Sequence, residues 1–430
     1  MEVRGTTTLD EQRVRRRAVV AAAAGNFVEW FDFAIYAVFA TVIARLFFPS
    51  ADPLAALLAT FAVFGVSYVF RPIGAVVFGH VGDRRGRRDT LARVIVIMSL
   101  ATFAIGLTPP YATVGVAAPL ILVAARAVQG FSAGGEWGGA ATFLAEYAPP
   151  GRRGLYCGFA LFTTMLGILA GVLLGALLTV GLPAESLGSW GWRIPFLLAL
   201  PLGLVGLYLR LRLDDTPRFR AIQERDALQR APLGETLRSH RAELAAVVGA
   251  TVLAASGAYL LLFLSSYSVQ ILKLGFLAAL AANALAFAAS AAAILATAAL
   301  SDRVGRKPVL TWSAVAVLVI TVPAFLLLQE GYASVLVAHL VLGAAIGAFT
   351  GPLSAAITEL FPTRVRYSGL SLGFSLATSV FGGTTPLALT WLLQRTGDPL
   401  SPAYFFVAIA ALSLVTVLLM RETADDPLID

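Results

Sequence analysis

Of the 430 residues, 58% are hydrophobic and 13% charged; mean hydropathy is +0.81 and the formal net charge +7. A soluble domain carries about 25% charged residues, so most of this chain must face lipid or a membrane-protein interior. The single cysteine, Cys157, excludes an intrachain disulfide, and no Cys/His cluster indicates a metal.

Residues 1–17 mix Glu2, Asp10 and Glu11 with arginines and lack a cleavage site after a short apolar core. They read as a cytoplasmic tail, not a signal peptide. A spanning helix needs ~20 mostly apolar residues. Six stretches then qualify, at 18–48, 54–79, 89–108, 116–147, 153–180 and 192–212. Residues 213–241 are the long polar interruption: Asp214, Asp215, Thr216 and Pro217 open it, and Arg218 to Gln229 read as a charged helix. Six more spans follow at 242–272, 276–300, 307–328, 332–360, 367–394 and 402–421, then a short tail at 422–430. No ten-residue alternation appears, so these are helices and not barrel strands. The chain reads as an all-α membrane protein, with bundles 18–212 and 242–421 joined by a linker.

The cations fall at alternate span ends. Arg13, Arg15, Arg16 and Arg17 precede the first span, Arg84 to Arg88 follow the second, and Arg152 and Arg153 follow the fourth. Arg210, Arg212, Arg218, Arg220, Arg225, Arg230, Arg238 and Arg241 flank or fill the linker, while loops 109–119, 181–191 and 329–333 hold no Lys or Arg. The positive-inside rule places both termini and the linker in the cytoplasm. The basic balance is therefore topology and not a nucleic-acid surface.

One motif occurs twice. Asp83-Arg84-Arg85-Gly86-Arg87-Arg88 and Asp302-Arg303-Val304-Gly305-Arg306-Lys307 each follow the second span of a bundle. Each Gly permits a sharp turn, and the recurrence indicates a duplicated membrane domain.

Charges inside spans cost ~2.5–3.5 kcal/mol even on the permissive insertion scale, so each needs a partner or a wet cavity. Gly25, Glu29, Asp32 and Tyr36 share one face of the first span. Glu29 and Asp32 either exchange a proton, as closely spaced carboxylates can, or pair with Arg71, Arg126 or another arginine. Arg71 stands ~8 residues, or ~12 Å, from the basic loop and offers a fork for a substrate carboxylate; pairing with Glu29 or Asp32 is the other reading. Pro72 after it can kink the span. Gln129 and Glu136 share a face of the fourth span, with Arg126 about 60° round. Gly130, Gly134, Gly135, Gly138 and Gly139 supply a small-residue packing surface there. In the seventh span Tyr259 is expected to line a cavity, and Tyr267 either does so or anchors at the lipid interface. His339 reads as a buried, satisfied histidine.

The stretches Gly25-Asn26-Phe27-Val28-Glu29-Trp30-Phe31-Asp32-Phe33, Phe70-Arg71-Pro72-Ile73-Gly74, Gln129-Gly130-Phe131-Ser132-Ala133-Gly134-Gly135-Glu136 and Trp190-Gly191-Trp192-Arg193-Ile194-Pro195-Phe196 occur in that order. With them the chain resembles the major facilitator superfamily over its whole length, and within it the metabolite:proton symporters. The resemblance implies two six-helix bundles with inverted repeats around a central cavity, working by alternating access. Substrate signals divide. Leu58 to Gly65, Phe374 to Thr378, Phe381-Gly382-Gly383 and Thr396-Gly397-Asp398 look most like citrate and tricarballylate carriers. Leu200-Pro201-Leu202-Gly203 and Glu422-Thr423-Ala424 look like proline/betaine carriers, and 2-oxoglutarate carriers are also similar. The chain stops at Asp430 without the coiled coil of osmosensory members, which puts osmotic sensing in doubt but not zwitterion transport.

The resemblance implies a cytoplasmic latch of Gly82, Asp83, Arg84, Gly86 and Arg87 with Asp302, Arg303, Gly305 and Arg306, each Asp facing a helix end. The expected substrate-binding set is Asn26, Tyr36, Arg71, Arg126, Gln129 and Tyr259; the proton-coupling candidates are Glu29, Asp32 and Glu136. The expected activity is proton symport of a citrate-like or dicarboxylate acid in a bacterial inner membrane, with a proline/betaine-type zwitterion as the alternative. The partners would be that substrate, a proton and lipid, with the protein acting as a monomer and without cofactor, metal or nucleic acid. With no nucleophile–base pair or cofactor motif in view, it is not expected to be an enzyme.

Overall fold

The computed structural model describes residues 9–50, 53–212 and 232–429. The charged stretch Arg218 to Gln229 lies outside these residues, as do residues 1–8. The long helices are α1 (Leu9–Val38), α2 (Pro53–Arg85), α3 (Arg87–Leu107), α4 (Ala117–Tyr147), α5 (Arg153–Gly181) and α6 (Arg193–Leu211). A short helix, Pro232–Ser239, leads into α7 (Arg241–Gln270), α8 (Phe276–Val304), α9 (Arg306–Leu327), α10 (Tyr332–Thr358), α11 (Arg366–Thr396) and α12 (Ser401–Leu419). No strand occurs among the described residues. Eleven helices there are long and apolar enough to cross a membrane, or twelve if α1 and its continuation Ala40–Phe47 count as one bent span.

That bend falls within the first predicted span, 18–48. The axis turns by 66° at Phe39, and the continuation buries Val42, Ile43 and Phe47. Phe47 meets Trp192 edge-on with centroids 5.7 Å apart. The second span is longer than its apolar stretch: α2 runs on through Asp83, Arg84 and Arg85. Arg71 is therefore ~21 Å along the helix from the turn, not ~12 Å. A charged last turn can stay helical because it projects beyond the hydrocarbon. α11 carries a π-helical turn over Thr378–Gly382.

Between helices in lipid, close packing replaces the hydrophobic drive, so small residues decide the approach. On α4, Gly134 lies directly on the Arg71 and Gly74 backbone of α2, where a Cβ would clash. The same contact recurs between α10 and α8, with Gly347 against the Ser290 backbone. The chain turns sharply at Gly86 (φ 111°) and Gly305 (φ 106°), a left-handed region open to Gly without strain.

After α12 the chain crosses the end of the molecule that bears the basic turns. Glu422 accepts from the amides of Arg306 and Lys307, both at 2.9 Å, capping α9. Burial would raise the Glu422 pKa, but those amides and the amides of Thr423 and Ala424 outweigh it and hold it below the usual carboxylate range. Farther on, the Ile429 carbonyl accepts from the Thr363 amide at 2.9 Å.

Candidate functional site

At the basic end the two halves interlock reciprocally. Asp83, from the first half, accepts from the amides of Tyr367 (3.3 Å) and Ser368 (2.8 Å) in the first turn of α11. Asp302, from the second half, accepts from the amides of Gly154 (2.7 Å) and Leu155 (2.9 Å) in the first turn of α5. A carboxylate on a helix N-terminus meets unpaired N–H groups and the positive end of the dipole. Each Asp also faces the Arg four residues on, Arg87 at 3.4 Å and Arg306 at 2.8 Å. The chain of charges continues across the interface. Arg87 faces Glu146 at 3.5 Å and Glu146 faces Arg366 at 2.9 Å; Arg306 faces Glu359 and Glu359 faces Arg153, both at 3.2 Å.

Glu146 and Glu359 were absent from the sequence-derived gate. Their signal was there: each has an arginine seven positions on, across a proline-bearing turn. Conversely, Arg84 and Arg303 are exposed and make no ion pair among the described residues. Gly82 lies against the Tyr367 ring, where a Cβ would clash, and the Tyr367 hydroxyl donates to the Gly135 carbonyl at 2.8 Å.

Above this lock, Trp137 of α4 and Phe374 of α11 stack across the interface, 3.7 Å between centroids and 11° between planes. Deeper still, the charges of α1 separate into two pairs. Glu29 pairs with Nη2 of Arg71 on α2. Asp32 takes Arg126 Nη1 at 3.2 Å and Gln129 Nε2 at 2.8 Å, both from α4. Gln129 also donates to Thr102 at 2.8 Å, and the Arg126 guanidinium lies 3.7 Å from the centre of the Tyr36 ring. The Tyr36 hydroxyl donates to the Thr60 carbonyl at 3.0 Å. All five charged or amide side chains are buried, yet Arg71 Nε and Nη1, Glu29 Oε2 and Asp32 Oδ1 have no hydrogen-bond partner among the described residues.

Arg71 and its neighbours sit against aromatic rings from both halves. Trp30, Phe33, Tyr68 and Tyr259 form a closed circuit, with centroids 5.8, 6.0, 5.8 and 6.2 Å apart in turn. The hydroxyls of Tyr68 and Tyr259 meet across the halves. Tyr259, from the second half, thus meets Trp30 and Tyr68 of the first.

The other expected residues lie elsewhere. Glu136 pairs with Arg210 of α6 at 2.5 Å, a partner that the sequence reading had assigned only to topology; Glu136 and Glu29 line one narrow crevice. The Asn26 amide donates to the Ala160 carbonyl at 3.0 Å, on the α1–α5 contact. Tyr267 is buried, its hydroxyl donating to the Pro399 carbonyl at 3.1 Å, so the lipid-interface reading of that residue is corrected: its ring packs on Phe325 instead. His339 is buried with Nδ1 2.9 Å from the Val335 carbonyl.

A sequence profile described as "Sugar (and other) transporter" matches residues 18–248 and 244–430. The proline/betaine transporter of Salmonella typhimurium is 36% identical over 99% of this chain and 87% of its own length. The chain belongs to the sugar (and other) transporter family. The glycine betaine/proline/ectoine/pipecolic acid transporter OusA of Dickeya dadantii is 38% identical over 98% of this chain and 86% of its own length. The fold matches that of the proton:xylose symporter XylE bound to 6-bromo-6-deoxy-D-glucose, with TM-score 0.81 and 17% identity over 97% of this chain and 98% of that one. This is a multi-pass membrane transporter.

As the cytoplasmic gate expected from the sequence, the interlock at the basic end would have to open. Hydrogen bonds to charged groups contribute about 1.5–3 kcal/mol each, so the two Asp contacts favour the closed state substantially. In Asp83→Asn/Asp302→Asn, on a Cys157→Ser background, we expect maleimide labelling of a Ser371→Cys probe from the basic side to rise about tenfold or more. Ser371 lies buried against Gly138 at the interface. Unchanged labelling would mean that the contacts do not control opening.

Proposed function

We propose that this transporter is a proton-coupled symporter of small zwitterions of the proline/glycine-betaine class. It would work by alternating access as a monomer in a bacterial cytoplasmic membrane, with the basic end and both termini in the cytoplasm. The observation that carries the reading is Arg71: buried between the halves, it gives one nitrogen to Glu29, and its Nε and Nη1 have no partner among the described residues. Each bidentate edge of a guanidinium includes Nη2, so a carboxylate can take the fork of Nη2 with Nε or with Nη1 once Glu29 yields Nη2.

The arrangement also supports a coupling mechanism. Glu29 and the substrate carboxylate compete for one guanidinium. A proton on Glu29 neutralises the competitor and releases Arg71, so proton and substrate favour each other's binding, reciprocally. The zwitterion's cationic end then faces the surrounding rings, which would repel a second carboxylate through their negative faces. That contrast, together with the names of the relatives, supports the zwitterion alternative better than the citrate-like acid first expected.

Proteoliposome uptake under an imposed pH gradient tests the proposal. Labelled proline or glycine betaine should accumulate, and an uncoupler should abolish the accumulation; accumulation of citrate but neither zwitterion would restore the acid reading. A periplasmic reporter fused at residue 225 should be inactive, and an active one would reverse the orientation.

A further inference from the structure

We infer that the rings of Trp30, Phe33, Tyr68 and Tyr259 form a cation subsite that takes a quaternary ammonium, so that the carrier discriminates its substrates by their degree of N-methylation. The inference rests on the zwitterion reading above and names the chemistry of its cationic end.

Three observations carry it. First, the four rings close on themselves with neighbouring centroids about 6 Å apart. A cation at the middle of such a circuit would lie within the ~6 Å reach of a cation–π contact of every ring. Second, the ring faces already accept a cation: the Arg71 guanidinium carbon is 5.8 Å from the Trp30 ring and 5.7 Å from the Phe33 ring. A carboxylate drawn onto the Arg71 fork would therefore bring its own α-nitrogen over the same rings. Third, the circuit offers little to a hydrogen-bond donor. Its acceptors are limited to the remaining lone pairs of two tyrosine hydroxyls that meet each other; the Trp30 indole is itself a donor, unpaired among the described residues, and Phe33 has no polar atom. A primary ammonium brings three N–H donors that need acceptors; a trimethylated nitrogen brings none and loses little hydration on entry.

The circuit also spans the two halves. Trp30, Phe33 and Tyr68 come from α1 and α2, Tyr259 from α7. A cation within it binds both halves at once, tying substrate recognition to their closure.

The test is competition against labelled proline uptake in proteoliposomes by glycine, sarcosine, dimethylglycine, glycine betaine and 3,3-dimethylbutanoate, the last being the isostere of glycine betaine with a neutral carbon in place of the ammonium nitrogen. Affinity should climb with methylation, with glycine betaine about thirtyfold or more above glycine and about tenfold above the isostere. In Tyr259→Leu both preferences should shrink to within about threefold, while Tyr259→Phe, which keeps the ring, should retain them. Equal affinities across the series, or a preference unchanged in Tyr259→Leu, would overturn the subsite while proline uptake keeps the zwitterion reading intact. Failure of the wild type to take up any zwitterion would overturn both. Phe33→Leu provides the same readout should Tyr259→Leu not fold.

Discussion

Arg71→Ala should lose substrate binding by about a hundredfold or more and leave transport near background. Truncating one partner of a buried, hydrogen-bonded charge pair costs about 2–5 kcal/mol, and each 1.4 kcal/mol is tenfold in affinity. Here the truncation removes the fork that would hold the substrate carboxylate and also strips Glu29 of its buried partner. The second effect threatens folding, so Arg71→Gln/Glu29→Gln is the control: it removes both charges and keeps similar shapes. Arg71→Lys should fall between wild type and Ala, because an ammonium is a point charge and cannot grip a carboxylate with two parallel bonds. Affinity in these folded variants can be read by isothermal titration or by a thermal shift with glycine betaine. Wild-type affinity in folded Arg71→Ala, or in the double Gln variant, would reduce Arg71 to a structural counter-charge.

Glu29→Gln should abolish uphill accumulation while sparing exchange of labelled for unlabelled substrate. The amide fixes the neutral state of Glu29, in which Arg71 is free to hold substrate but no proton can be carried. Substrate affinity in the wild type should rise as pH falls, since proton and carboxylate favour each other at Arg71; in Glu29→Gln it should be flat with pH and at least as high as in the protonated wild type. Asp32→Asn is the comparison. Asp32 is held by Arg126 and Gln129, a separate pair, and should keep the pH dependence of substrate affinity even where transport slows. Loss of accumulation in Asp32→Asn alone would move coupling to the Asp32–Arg126 pair. If both variants still concentrate substrate under a pH gradient, neither carboxylate is the coupling site, and Glu136 with its Arg210 partner is the next to test.

Much of the architecture is legible in the sequence because it follows from local properties. Whether twenty successive residues can lie in hydrocarbon depends on those residues alone, so the spans and their division into two sets of six could be read directly. Helical spacing put Glu29 and Asp32 on one face of α1, and the repeat of Asp, Arg, Gly and Arg revealed the two turns at Gly86 and Gly305. What the spacing left open is which partner each charge takes. Adjacent on one helix, Glu29 and Asp32 go to different helices, one to α2 and one to α4, because Gly134 lets those two helices approach backbone to backbone and brings Arg71 and Arg126 alongside α1. Arg210 looked like a topology marker until α6 was seen to carry it to Glu136. Glu146 and Glu359 looked like span ends until the two halves met across them. The aromatic circuit is the extreme case: Tyr259 is 191 positions from Tyr68 in the chain, and no local pattern joins them. Burial and periodicity are set residue by residue, whereas pairing across helices and halves exists only once backbones have packed, and the proposed substrate site depends on such pairings.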